Sequence, residues 1–208
     1  MTNYILVGGG DHAISIINLN FNKSLKNKII GYCDNYKTHI NLKYLGKDDE
    51  IIKKYKSDKN LKFILAIGIN IKNREKIFNK FKKFNLIFET LIEKTAQISI
   101  SAKIGEGSII FKNSIIGPDC KIGKNVVIHS SCVIEHHSSI GDNSYCGPGS
   151  IVCGRSIVKK NCLLGAKVCI IEKKIIEKNN IIGAGSVIVK NINISNHTYF
   201  GVPAKQHD

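Results

Sequence analysis

A chain of 208 residues, 43% of them apolar, can bury a core and is long enough for two small domains. Its formal charge of +15 rests almost wholly on lysine, since only Arg74 and Arg155 among 31 basic residues are arginine. The bidentate guanidinium that dominates phosphate and base readout is nearly missing, which argues against a nucleic-acid partner, and the absence of a long apolar run or a signal-peptide pattern argues for a cytoplasmic protein without a membrane span.

From its start, the chain predicts a buried strand over 4–7, a turn at Gly8, Gly9 and Gly10, and a helix beginning near His12. Three glycines allow a tight turn whose backbone N–H groups can approach an anion at a helix N-terminus. The complete dinucleotide fingerprint is absent, because Ala13 stands three places after Gly10. A second strand over 28–33 ends at Asp34 and Asn35, and a third over 62–67 ends at Gly68 and Asn70, ahead of a helix carrying Arg74 and Lys76. Strands alternating with helices predict a small Rossmann-like parallel sheet over 1–92. Open α/β sheets bind ligands at the carboxyl ends of their strands, so Gly8, Gly10, Asp11, His12, Asp34, Asn35, Gly68 and Asn70 are candidates to line one pocket. The alternative is that the glycines and the aspartate simply terminate strands.

The boundary is expected near 91–96, where a new period begins. Every sixth residue from Ile98 to Ile194 is aliphatic, apart from Cys146. Neither a helix nor an amphipathic strand repeats at six, so the unit is a coil of short straight segments. Small residues sit two places earlier (Ser108, Ser114, Cys120, Cys132, Ser138), and glycine often follows (Gly105, Gly117, Gly141, Gly165), where a sharp bend with positive φ is expected. Three hexads per triangular turn place each aliphatic residue under the one eighteen places on. Six of the seven cysteines fall inside this repeat without the paired spacings of a zinc site, so no metal is expected and the thiols are expected to be reduced.

This pattern resembles the hexapeptide repeat of left-handed parallel β-helices, over 93–208. Within it, GGGDHA at the start, AIGIN at 66–70, IEHHSSIGD at 134–142 and FGVPAK at 200–205 resemble the sugar O- and N-acyltransferases, a family that includes the bacillosamine-pathway, perosamine and sialic acid acetyltransferases. The resemblance implies a homotrimer in surface glycan or lipopolysaccharide biosynthesis. It implies acetyl-CoA as co-substrate on the β-helix, and a nucleotide-linked 4-amino-4,6-dideoxy sugar in the front domain. His136 falls on the family's general base and Glu135 on the acid before it; an imidazole suits an amine that must lose a proton as it attacks a thioester. The family's second acid is replaced by His137, leaving Glu135 or Asp142 to orient the ring. Resemblance further places Tyr145, Gly154, Gly165, Ala166, Gly183, Pro203 and Lys205 along the CoA site, with Gly154 near the thioester carbonyl and Lys205 near a CoA phosphate. Relatives often carry histidine at the place of Tyr145 and glycine at that of Asp11. O-acetylation of a sialic or nonulosonic acid is the alternative activity, and a trimeric scaffold that only binds sugar nucleotides is the non-enzymatic one.

Overall fold

The computed structural model describes residues 2–19 and 28–207. Its front part is a parallel sheet of β1 (Asn3–Val7), β2 (Ile29–Cys33) and β3 (Leu61–Leu65) in the order β2-β1-β3. Helices α1 (Asp11–Ile17), α2 (Asp48–Tyr55) and α3 (Ile71–Lys82) accompany it. The pattern reading did not include α2, which buries only Asp48, Ile51 and Ile52 and so leaves little periodic trace. Its polarity is nonetheless legible: acidic residues fill its first turn, lysines its last, and Glu50 accepts the Lys47 N–H at 3.1 Å. Asn70 caps α3 by accepting from the Asn73 N–H at 3.1 Å.

From Leu91 onward the chain is a left-handed parallel β-helix of about six turns. Its two-residue strands recur every six residues, from β4 (Leu91–Ile92) through β20 (Val187–Ile188). Each pairs in parallel with the strand eighteen residues on, as Ile116 does with Ile134 and Ile134 with Val152. Three flat faces result. Face 1 holds β7 (Ile109–Ile110), β10 (Val127–Ile128) and β13 (Tyr145–Cys146); face 2 holds β11 (Val133–Ile134) and β14 (Ile151–Val152); face 3 holds β12 (Ser139–Ile140) and β15 (Ile157–Val158). The second residue of each strand points inward, and Ile110, Ile134, Cys146, Val152 and Ile170 are wholly buried.

The small residues two places earlier form a ladder of their own. Ser138 Oγ donates to Cys153 O at 2.9 Å and accepts from Ser156 N at 3.2 Å, and Ser156 Oγ donates to Ile171 O at 2.8 Å, so each hydroxyl ties one coil to the next. The glycines after the aliphatic residues serve a purpose other than the one expected. Positive φ falls two places later, at Asn113, Asp119, Asn125, His137, Asn143 and Arg155 among others. Gly141 is needed for close approach instead, since a Cβ there would lie 2.4 Å from Lys160 N. The six-residue phase also ends sooner than read: Ile194 is exposed, and Ile192 takes the inward place by bridging Ile176. A hairpin of β21 (Thr198–Gly201) and β22 (Ala204–His207) then closes that end of face 1.

The front sheet packs on the outside of face 1, where Ile109, Val127, Tyr145 and Phe111 meet Leu6, Ala13, Ile16 and Ala66. Arg74, fully buried, clamps the join by donating to the carbonyl and the side-chain oxygen of Asn125. Asn125, Asn143 and Asn161 stack as an amide ladder along the corner between faces 3 and 1, with steps of 2.7 and 3.0 Å. Asn143 also donates to Ile71 O at 3.0 Å and Asn161 to the Glu75 carboxylate at 3.2 Å, so this corner holds α3 in place.

Candidate functional site

The eight front-domain candidates come together. Gly8, Gly10, Asp11, His12, Asp34, Asn35, Gly68 and Asn70 all line one cleft of about 330 Å³ at the carboxyl ends of the three parallel strands. Asp34 shapes it: one carboxylate oxygen accepts the Gly9 N–H at 2.8 Å and the other the Asn35 N–H at 2.6 Å, tying the glycine turn to the end of β2. His12 leans on Gly68 and lies 5.6 Å, ring to ring, from Phe111 of the β-helix. Burial above all, with the Arg74 guanidinium and His129 nearby, pushes His12 down from 6.5 to about 4, so its ring is neutral at pH 7. Its buried Nε2 has no hydrogen-bond partner among the described residues, and the ring borders the cleft. Asp48, which the sequence reading did not single out, also lines the cleft, and burial raises its carboxyl. Gly8 N–H is taken by Cys33 O at 2.8 Å as Gly9 N–H is by Asp34, so the N–H groups left for a ligand are those at the start of α1, and beside the cleft's carboxylates they suit one that combines anionic groups with hydroxyl or ring N–H donors.

A second group forms where the chain turns from face 2 to face 3. Positions eighteen apart stack here: Pro118, His136, Gly154 and Glu172 in one column, Asp119, His137, Arg155 and Lys173 in the next. Backbone bonds fix the corner, His137 N donating to Pro118 O at 2.8 Å and Arg155 N to His136 O at 3.0 Å. The His136 ring lies directly over Gly154: a Cβ there would sit 2.7 Å from both its Cε1 and Nε2. His136 Nδ1 is 3.2 Å from His137 Nδ1, and His137 Nε2 is 3.5 Å from Asp119 Oδ2. Glu135 is exposed beside them. Asp142, considered from sequence as an orienting acid, is elsewhere: it turns the next corner and accepts the Lys124 N–H at 2.7 Å. Asp119 went unnoticed, although its place eighteen residues before His137 marks it as the neighbour in the coil beneath.

The remaining candidates are dispersed. Gly165, Ala166 and Gly183 lie at the corner between faces 1 and 2, where Gly147, Gly165 and Gly183 stack closely enough that a Cβ on Gly165 would lie 2.5 Å from Ala184 N. The outer side of face 2 separates them from Gly154. Pro203 and Lys205 line a cavity of about 320 Å³ with Lys190, Ile192 and Tyr199 at the hairpin-capped end. Tyr145 joins none of these; it is buried on face 1 beneath the front domain, its ring 6.1 Å from His129. His129 stacks on Phe111 at 4.4 Å and belongs to the same packing. The front cleft and His136 are therefore on opposite sides of one chain, for the front domain covers face 1 and His136 occupies the corner between the other two.

Among the described residues no group of His, Cys, Asp or Glu side chains could hold a metal, and no helix is long and apolar enough to cross a membrane. All seven cysteines are free.

Residues 3–81 match the PglD N-terminal domain, and residues 101–136 match the bacterial transferase hexapeptide of six repeats. No curated protein matches the chain. Among solved structures, PerB from Caulobacter crescentus, in complex with CoA and GDP-perosamine, is 25% identical with a TM-score of 0.89, covering 100% of this chain and 98% of that one. The acetyltransferase domain of PglB from Neisseria gonorrhoeae, in complex with acetyl coenzyme A, is 20% identical with a TM-score of 0.89, over 99% and 98% of the two chains, a likeness of fold. WeeI from Acinetobacter baumannii is 18% identical with a TM-score of 0.67 over the full length of both, again a likeness of fold.

Proposed function

The chain belongs to the hexapeptide-repeat sugar acyltransferases with a PglD-type front domain, and from that premise we propose that it is an acetyl-CoA-dependent N-acetyltransferase acting on a nucleotide-linked 4-amino-4,6-dideoxy sugar. The observation that carries this reading is the placement of the His136 imidazole over Gly154, at a corner bordered by the open outer side of face 2. Residues 1–92 hold the sugar nucleotide in the cleft around Gly8, His12 and Asp34. Residues 93–208 hold acetyl-CoA, its arm following the glycine column at Gly165 and Gly183 and its phosphates meeting Lys205.

His136 Nε2 is the base. As the sugar amine attacks the thioester carbonyl, a C–N bond forms and the C–S bond breaks; the amine proton passes to Nε2 and then to the departing sulfur, which leaves as the thiol of CoA. With Cys153 N and Arg155 N held by backbone carbonyls, the Gly154 N–H is the donor available to the oxyanion.

One chain does not contain a whole site, since its sugar cleft and its base face opposite ways. A homotrimer resolves this by bringing the front domain of one copy to the His136 corner of the next. The outer side of face 2 supports such packing, because Ile115 and Ile151 are exposed there and Val133 and Cys169 half-buried. Cytoplasmic surface-glycan synthesis, where sugar nucleotides and acetyl-CoA meet, is the setting we assign.

Thiol release from acetyl-CoA with GDP-, UDP- and dTDP-linked 4-amino sugars tests the proposal, GDP-perosamine being the first acceptor because PerB binds it. Turnover with an amino sugar and none with hydroxyl sugars supports N-acetylation; the reverse pattern means O-acetylation. Binding of a sugar nucleotide, seen as a raised melting temperature, without any thiol release would leave a scaffold and end the proposal.

A further inference from the structure

His136 and His137 face one another through like atoms, Nδ1 to Nδ1 at 3.2 Å with their rings nearly perpendicular, and only one of the two nitrogens can carry the shared proton. Which one carries it decides whether His136 is a base. If His136 donates from Nδ1, its Nε2 is a bare lone pair over Gly154. If His137 donates, His136 must hold its proton on Nε2 and has no lone pair to offer an amine there.

From this geometry we infer that Asp119 and His137 form a positioning pair that fixes the tautomer of His136. The inference rests on the acetyl-transfer reading for its consequence, though its physical basis is independent of it. Asp119 Oδ2 lies 3.5 Å from His137 Nε2, an electrostatic contact longer than a full hydrogen bond. A carboxylate there favours a proton on His137 Nε2 and repels a lone pair. With that proton placed, neutral His137 has only an acceptor left at Nδ1, and His136 Nδ1 must be the donor. Every proton in the chain from Asp119 to His136 then points at an acceptor, whereas the reverse arrangement sets a lone pair against a carboxylate. The other charged groups on the stacked turns are Glu135, Arg155, Glu172, Lys173 and Lys174. Arg155 holds the His137 position one coil on.

Asparagine substitutions at both places suit the backbone, since Asp119 and His137 have φ of 57° and 59° and asparagine tolerates that region. Long-range proton–nitrogen correlation spectra of the histidine-labelled protein read the tautomer directly, with His136→Ala identifying the signal. The expected result is an Nδ1–H tautomer for His136 in the wild type and a shift towards Nε2–H in Asp119→Asn. Kinetics supply a second readout. His137→Phe lowers kcat by roughly tenfold or more with KM within about twofold, and His137→Asn, which returns an acceptor near the lost Nδ1, recovers most of it. A wild-type His136 protonated on Nε2, or a tautomer indifferent to Asp119→Asn, would overturn the inference. A protein inactive with every acceptor, yet showing the expected tautomer and its loss in Asp119→Asn, would defeat the acetyl-transfer reading and leave the positioning pair standing.

Discussion

The two candidate regions are built on opposite logics. The His136 corner is assembled by repetition: residues eighteen apart in sequence are vertical neighbours, so Asp119, His137 and Arg155 stand in a column whatever their side chains are. The front cleft is assembled by convergence, drawing Gly8, His12, Asp34 and Asn70 from three strand ends that only the parallel sheet brings together. Repetition gives a rigid frame in which a single side chain can change without disturbing the others. Convergence gives a site in which one residue, such as Asp34, both lines the cleft and holds its walls.

That contrast is breakable in several ways. The largest effect is expected from Ile116→Asp, which puts a charge into the inner ladder where Ile116 is 1% exposed. A cost of several kcal/mol should abolish cooperative folding, as circular dichroism or a thermal melt would register. His136→Ala should do the opposite, lowering kcat by roughly 10²–10⁴ while the melting temperature holds, because the corner's backbone bonds do not involve the ring. Gly154→Ala sharpens the point. Its Cβ displaces only the movable ring of His136, so stability should change little while kcat falls by roughly 10²-fold at most, the scale of an ångström-sized misplacement. An alanine that left kcat intact would mean that the ring's place over Gly154 is unimportant.

The smallest effect belongs to the cleft. His12 has a folded value of about 4 against about 6.5 unfolded. The unfolded chain therefore takes up a proton across this window while the native one does not, and stability is lost as pH falls from about 6.5 towards 4. A melting temperature that drops less between pH 7 and pH 5 in His12→Gln than in the wild type would verify it; equal drops would place the pH sensitivity elsewhere.

The same two logics explain what could be read from sequence. The β-helix was legible because each inward residue recurs every six places, and the cleft because a parallel α/β sheet brings the carboxyl ends of its strands, where Gly8, Asp34 and Asn70 fall, to one side. Tyr145 was placed at the CoA site by resemblance alone; in the structure it stands on the first, outward residue of its strand on face 1, and the front domain covers that face. Asp119 left no linear signal because the residue it meets, His137, stands eighteen places away in sequence, one coil above it. The asparagines at positive φ were a signal in the same register, three places after each aliphatic residue, obscured by attention to the glycines. The short helix α2 left no such register to read.

The stacking also turns the molecule into a ruler. Lys190 occupies the register of His136 three coils on, beside the cavity that Lys205 lines. At about 4.8 Å between neighbouring strands, the span from imidazole to lysine is roughly 14 Å, and it can change only in whole rungs. Inserting or deleting eighteen residues between Gly154 and Lys190 would lengthen or shorten that reach by one step while keeping every side chain on its own edge of the prism.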